Sequence, residues 1–226
     1  MPLLQECGTE FSAMRRILMG IFDVLFSAFG PQNWWPAENE LEVIVGAILT
    51  QNTNWSNVEK AIAALKNSGL LSLPALFEAD NKTICTAIRP AGYYNQKTKK
   101  LKAFADHIIH NWSGDLDAFL SRPLPELRRE LLSLYGIGPE TADSIILYAA
   151  EKPIFVVDRY TYRLMTRHGL YSGHYDYERL QSLFMNALKP DVPLFQEYHA
   201  LVVKLGKSFC RKEAICQDCP VGQRDI

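Results

Sequence analysis

Met14, Ile17, Leu18, Ile21, Phe22, Leu25, Phe26 and Phe29 fall on one stripe of a helix, and apolar residues keep returning at that period along the chain. No run of alternating β-branched residues competes with it. A chain patterned this way buries its apolar surface by packing helix on helix, so an all-α fold is predicted. Gly30-Pro31 stops the first helix. Leu41 to Leu49 is almost wholly apolar and reads as a buried helix, and Asn54 to Leu65 continues as a more amphipathic one. Further helices are predicted at Ile84 to Ile88, Lys97 to Ile109, Pro125 to Leu132, Pro139 to Ala149, Arg159 to His168, Tyr177 to Leu188 and Phe195 to Phe209. Ile154 to Val157 fits neither pattern and is a short extended piece or a buried loop.

With 226 residues, the chain is one large domain or two small ones around a shared cleft. Lys plus Arg is 24 and Asp plus Glu is 25, which excludes a general polycation. It leaves room for a nucleic-acid enzyme, because a local patch is enough to neutralise phosphates. No stretch is long and apolar enough to span a bilayer, and Asp23 interrupts the one run that resembles a secretory signal. Five cysteines, three of them crowded at the C-terminus, do not make a secreted disulfide framework. A cytoplasmic, monomeric protein without a membrane partner is expected.

Leu134-Tyr-Gly-Ile-Gly138 lies between two helical patterns and is followed by Pro139, Glu140, Thr141 and Ala142. Gly136 and Gly138 permit a tight turn with positive φ and close approach of a ligand to the backbone. Ile137 between them can plug into the core. The second helix then offers backbone N–H groups suited to a phosphate oxygen, which positions DNA without reading it. An ordinary helical hairpin would use the same glycines. Asp158 stands twenty residues further on, in the run Val156-Val157-Asp158-Arg159-Tyr160.

Here the chain resembles the helix–hairpin–helix DNA glycosylases of the endonuclease III superfamily. The likeness covers nearly the whole chain: the buried helix ending in LTQNT (Leu49 to Thr53), the RPAGYYNQK stretch (Arg89 to Lys97), the hairpin and the aspartate. It implies a two-lobed fold with a DNA cleft between the lobes. Residues 32–150 would form a helical barrel carrying the hairpin. Residues 1–31 with 151–226 would form a second helical lobe ending in the cysteine loop. The implied partner is double-stranded DNA containing a damaged base.

Breaking an N-glycosidic bond passes through an oxocarbenium-like state, which a nearby carboxylate stabilises. The resemblance gives that role to Asp158, and a helix start favours a negative charge there. The same residue would also serve as a plain N-cap. In strand-cleaving members of the family, a lysine two residues after the hairpin's second glycine forms a Schiff base with the sugar. Glu140 occupies that position and cannot form an imine, so a monofunctional glycosylase is expected.

Trp34-Trp35-Pro36, with Trp55 two places beyond LTQNT, resembles the 3-methyladenine DNA glycosylase branch, where such aromatics line the pocket for the extruded base. Tryptophans are also common core plugs. Alkylated purines carry positive charge that indole faces attract, and their glycosidic bonds are already weak. Gln51 and Asn52 lie where family members fill the gap left by the extruded base, and either is a candidate. Lys207 corresponds to a basic position near the catalytic aspartate, or it is a solvated lysine beside Lys204. Arg159, Arg163 and Arg167 recur every four residues and either approach the DNA backbone or form a solvated face.

Many family members hold a [4Fe–4S] cluster on four C-terminal cysteines. Here Cys210, Cys216 and Cys219 match three positions, and Asp225 stands at the fourth. The expectation is a cluster with an atypical fourth ligand, Asp225 or Cys7, against zinc or no metal at all. Cys85 reads as core. The expected activity is that of a DNA glycosylase for alkylated purines without lyase activity. Its rivals are an endonuclease III-like glycosylase and lyase for oxidised pyrimidines, and a DNA-binding module without catalysis.

Overall fold

The computed structural model describes residues 3–222, with side chains from Ser12 onward. Among the described residues the fold is twelve α-helices and no strand. They run α1 Leu3–Phe29, α2 Glu40–Leu49, α3 Trp55–Asn67, α4 Leu73–Glu78, α5 Asn81–Ala87 and α6 Tyr94–Trp112. There follow α7 Leu116–Ser121, α8 Leu124–Ser133, α9 Pro139–Tyr148, α10 Arg159–Arg167, α11 Tyr177–Ala187 and α12 Val192–Ser208. A 3₁₀ turn, Arg89–Ala91, precedes α6. The chain divides into two compact units, Met1–Trp34 with Pro153–Ile226, and Trp35–Lys152.

Trp35–Lys152 is built on α2. Leu41 through Leu49 are all buried, with α3, α6 and α9 packed against this helix. Asn39 caps it through a bond from the Glu42 N–H. Its far end is held by Lys97, which is only 2% exposed. The Lys97 Nζ donates to the carbonyl of Leu49 at 2.9 Å and to that of Ala91 at 2.7 Å, joining the end of α2 to the 3₁₀ turn. Asp143 of α9 is fully buried and meets Arg128 of α8 through two bonds, which fixes the helix pair flanking the hairpin.

In the unit of Met1–Trp34 and Pro153–Ile226, the rings of Phe155, Phe184, Phe195 and Tyr198 pack together. Phe155 and Phe184 stack at 4.0 Å between ring centroids. The buried Tyr198 hydroxyl donates to the carbonyl of Leu18 in α1 at 2.7 Å, and burial raises its pKa. Ile154 to Val157 is a buried loop and not a strand; its Phe155 carbonyl accepts from the buried amide of Gln181 at 2.6 Å. That side-chain bond replaces a ladder partner, as a buried carbonyl requires.

The main helices follow the predicted periodicity, with two additions. Helices α4 and α7 have six residues each, too few for a period to declare itself, and are marked by the N-caps Ser72 and Asp115. Helix α5 starts at Asn81 because Asp80 caps it, three residues before the predicted start.

Burial, with the charge of Lys100 added, pushes Lys97 down to about 8. An unfolded chain keeps this proton up to about 10.4. Between those values the unfolded state binds more protons than the folded one, so this group makes stability rise with pH. The wild-type urea midpoint is therefore expected to climb relative to Lys97→Met between about pH 8 and 10. Parallel midpoint curves would assign the titration elsewhere.

Candidate active site and nucleic-acid interface

Asp158 sits at the start of α10, where the buried loop Ile154 to Val157 delivers it 8% exposed. Its Oδ1 accepts from the Thr161 backbone N–H at 2.7 Å and from the Thr161 hydroxyl at 3.0 Å. The Asp158 N–H donates back to Thr161 Oγ1 at 3.3 Å, completing a capping box. The plain N-cap role is thus real, and it uses one carboxylate oxygen. The other oxygen, Oδ2, lies 3.9 Å from Nε2 of His199 on α12. Burial lowers the pKa of His199; Asp158 opposes that shift and Lys207 adds to it.

Lys207 follows two turns later on α12, with its Nζ 5.3 Å from the ring centroid of Trp34. The residue stands at the surface, yet loss of water around its ammonium lowers its pKa, against the pull of Asp158. Close approach of α10 and α12 depends on Gly206. A Cβ there would lie 2.0 Å from the Tyr160 ring. His199 and Gly206 carry no motif; only their places on α12, about two turns before Lys207 and directly beside it, could have drawn attention to them.

The three arginines of α10 separate. Arg167 donates to the Cys210 sulfur at 3.1 Å and to the Lys212 carbonyl at 2.9 Å, so it serves the cysteine loop. Arg163 lies over Tyr160 with its Nε buried, which also takes it out of a solvated or phosphate-facing row. Arg159 is exposed and lies over the Tyr175 ring at 4.4 Å.

The hairpin belongs to Trp35–Lys152. Gly136 has φ of +76° and Ile137 beside it is buried. Gly138 differs from expectation: its φ of −96° and ψ of 179° are extended, so no positive φ requires glycine there. A Cβ at Gly138 would meet nothing within 4 Å, and its exposed backbone leads into α9. Glu140 is exposed in the first turn of that helix.

Gln51 and Asn52, equivalent in the sequence, part company. The Gln51 amide donates to the Gly136 carbonyl at 3.1 Å and to Thr141 Oγ1 at 2.9 Å, and its oxygen accepts from Lys100. It ties the end of α2 to the hairpin. Asn52 is exposed, with a left-handed backbone at φ +55°. Trp35 also holds a positive φ, +133°, which non-glycine residues rarely adopt. Its indole packs against Gly46, edge-on to Trp55 at 5.3 Å and tilted against Tyr148 at 4.9 Å. Pro36 is exposed. Trp34 belongs to the unit that holds Lys207.

Cys210 and Cys219 are buried and Cys216 is exposed. Their loop is tied by its own backbone, with Ile215 bonded to Phe209 and Gly222 to Cys219. Among the described residues no three His, Cys, Asp or Glu side chains gather as a metal ion needs, and a guanidinium already meets the Cys210 sulfur. The three cysteines therefore do not fit an iron–sulfur cluster as they stand. The Cys7 side chain and Asp225 lie outside the described residues. Cys85 is half-buried, with its sulfur 3.2 Å from the Thr98 hydroxyl.

Residues 45–190 match the family described as HhH-GPD superfamily base excision DNA repair protein. A candidate DNA repair glycosylase of Methanocaldococcus jannaschii is 45% identical over 202 residues, covering 89% of this chain and 92% of that one. The structure of an H. pylori 3-methyladenine DNA glycosylase bound to 1,N6-ethenoadenine is similar with a TM-score of 0.71 and 28% identity, over 86% of this chain and 97% of the other. A trapped endonuclease III–DNA covalent intermediate shares the fold, with a TM-score of 0.78 at 18% identity, over 92% and 93% of the two chains.

Gly136→Ala is expected to cost about 1–2 kcal/mol, since an alanine at that φ is strained. Its Cβ would also displace the Lys100 side chain, whose Cε would lie 2.4 Å away. Thermal unfolding and DNA affinity should fall together; unchanged DNA binding would separate the hairpin geometry from the interface.

Proposed function

The chain belongs to the HhH-GPD superfamily of base excision DNA repair proteins and is a DNA glycosylase; from that premise we propose that it hydrolyses the N-glycosidic bond of alkylated purines and leaves the strand intact. The observation that carries this reading is the division of labour at Asp158. Oδ1 is spent on the capping box, which fixes the carboxylate, and Oδ2 takes no part in the cap. A charge held this way needs no reorganisation when the sugar becomes cationic, which is the condition for strong electrostatic stabilisation. As the base departs with the bonding electrons, Oδ2 faces the oxocarbenium carbon and orients the water that adds to it.

We assign the extruded base to the faces of Trp34, Trp35, Pro36 and Trp55, with Lys207 beside Asp158 as the second catalytic group. A positively charged purine is already a good leaving group, so stacking and the carboxylate suffice without a general acid. Gly136, Ile137 and Gly138 would position the DNA backbone, with Arg159 as a phosphate contact. Asn52 is the better candidate to fill the gap in the duplex, because Gln51 is occupied by the hairpin. The carboxylate of Glu140 at the hairpin's lysine position supports hydrolysis without strand cleavage, since it offers no amine.

Methylated DNA and thymine glycol DNA, incubated separately with the enzyme, test this reading. Release of methylpurine without nicking is expected, with Asp158→Asn slower by about 10²-fold or more. Borohydride should trap no adduct. Thymine glycol release with nicking and a trapped adduct would replace the reading with a lyase. Equal base stability with wild type and Asp158→Asn would leave a binding module.

A further inference from the structure

His199 has no part in the chemistry described above, and it is buried beside its central group. It projects from α12, is 6% exposed, and places Nε2 3.9 Å from the Asp158 oxygen that the capping box does not use. That separation is about 1 Å beyond a charge-assisted hydrogen bond. Oδ1 cannot rotate away, because Thr161 holds it from two directions. Resting on the assignment of Asp158 as the catalytic carboxylate, we propose that His199 is its positioning residue: neutral, it leaves Oδ2 turned to the sugar, and charged, it closes on Oδ2 and withdraws the carboxylate from the reaction.

Burial is the main influence favouring a neutral resting form. Burial lowers the pKa of His199, the Asp158 charge raises it, and Lys207 on the same helix lowers it. From α1, which also packs on α12, Asp23 acts on Tyr198. A proton added to the imidazole turns the 3.9 Å contact into an ion pair with little solvent to screen it. Protonation of His199 is thus a route by which acid removes activity.

The test is single-turnover release of methylpurine against pH, from about 5 to 8, for wild type, His199→Gln and His199→Asn. Wild type should lose rate on acidification, and both variants should hold several-fold more of their neutral rate at about pH 5.5. An independent readout is the NMR titration of the His199 imidazole in wild type and Asp158→Asn. Its pKa should fall when the carboxylate charge is removed, a change that does not depend on catalysis. An unaltered acid limb in the variants, with Asp158→Asn inactive, overturns the role of His199 alone. An imidazole titration indifferent to Asp158→Asn overturns it as well, even if the position 199 variants fail to fold. Full base release by Asp158→Asn defeats the assignment of Asp158, and the proposal falls with it.

Discussion

The capping box at the start of α10 is the interaction on which the geometry around Asp158 depends. A carboxylate that only caps a helix turns both its charge and its geometry inward. Asp158 accepts both bonds from Thr161 on one oxygen, so capping immobilises the group without consuming it. Serving as an N-cap therefore leaves one oxygen of this residue outside the cap. What the box cannot do is supply the neighbours of Oδ2. Those come from α12, held close because Gly206 leaves room for the Tyr160 ring. His199 lies about two turns before Gly206 and places Nε2 3.9 Å from Oδ2, and Lys207, one residue after Gly206, feels the charge of the carboxylate.

In Trp35–Lys152 the corresponding work is done by lysines turned inward. Lys97 neutralises the carbonyl end of the most buried helix, a place where a cation is favoured by the helix dipole. Lys100 lies along Gly136 and donates to Gln51, which in turn bonds the hairpin carbonyl. The conformation of the hairpin is thus wired to the end of α2. Burying an amine this way carries a desolvation cost, visible in the lowered pKa of both lysines, and two carbonyls or an amide oxygen offset it. These bonds hold the hairpin and the end of α2 as one rigid frame.

Much of this was legible in the residues. The period of 3.6 located the long helices, the apolar run of Leu41 to Leu49 announced the buried one, and the turn at Gly136 needed its glycine. Other features were hidden for definable reasons. Six-residue helices have no period to read. Gly138 looked like a second positive-φ turn residue, yet it is extended, because one left-handed residue already reverses the chain. Arg163 and Arg167 kept the spacing of a phosphate-facing row, but spacing does not say whether a guanidinium meets Tyr160 or the Cys210 sulfur. His199 lay in an apolar helix with nothing around it in sequence to mark it.

The residues alone determined the helical class, the hairpin, the aspartate that follows it and the loss of an amine at Glu140. These are local facts, set by periodicity, turn chemistry and the functional groups each side chain carries. Only the tertiary structure decided which oxygen of Asp158 is spent, that Gln51 rather than Asn52 is tied down, and that a buried imidazole stands 3.9 Å from the carboxylate. The last two depend on residues 41 to 90 positions apart coming within 2.9 to 3.9 Å of one another. Helix packing fixes such meetings through steric details, a glycine under a tyrosine ring or a lysine laid over a turn, that no one segment contains.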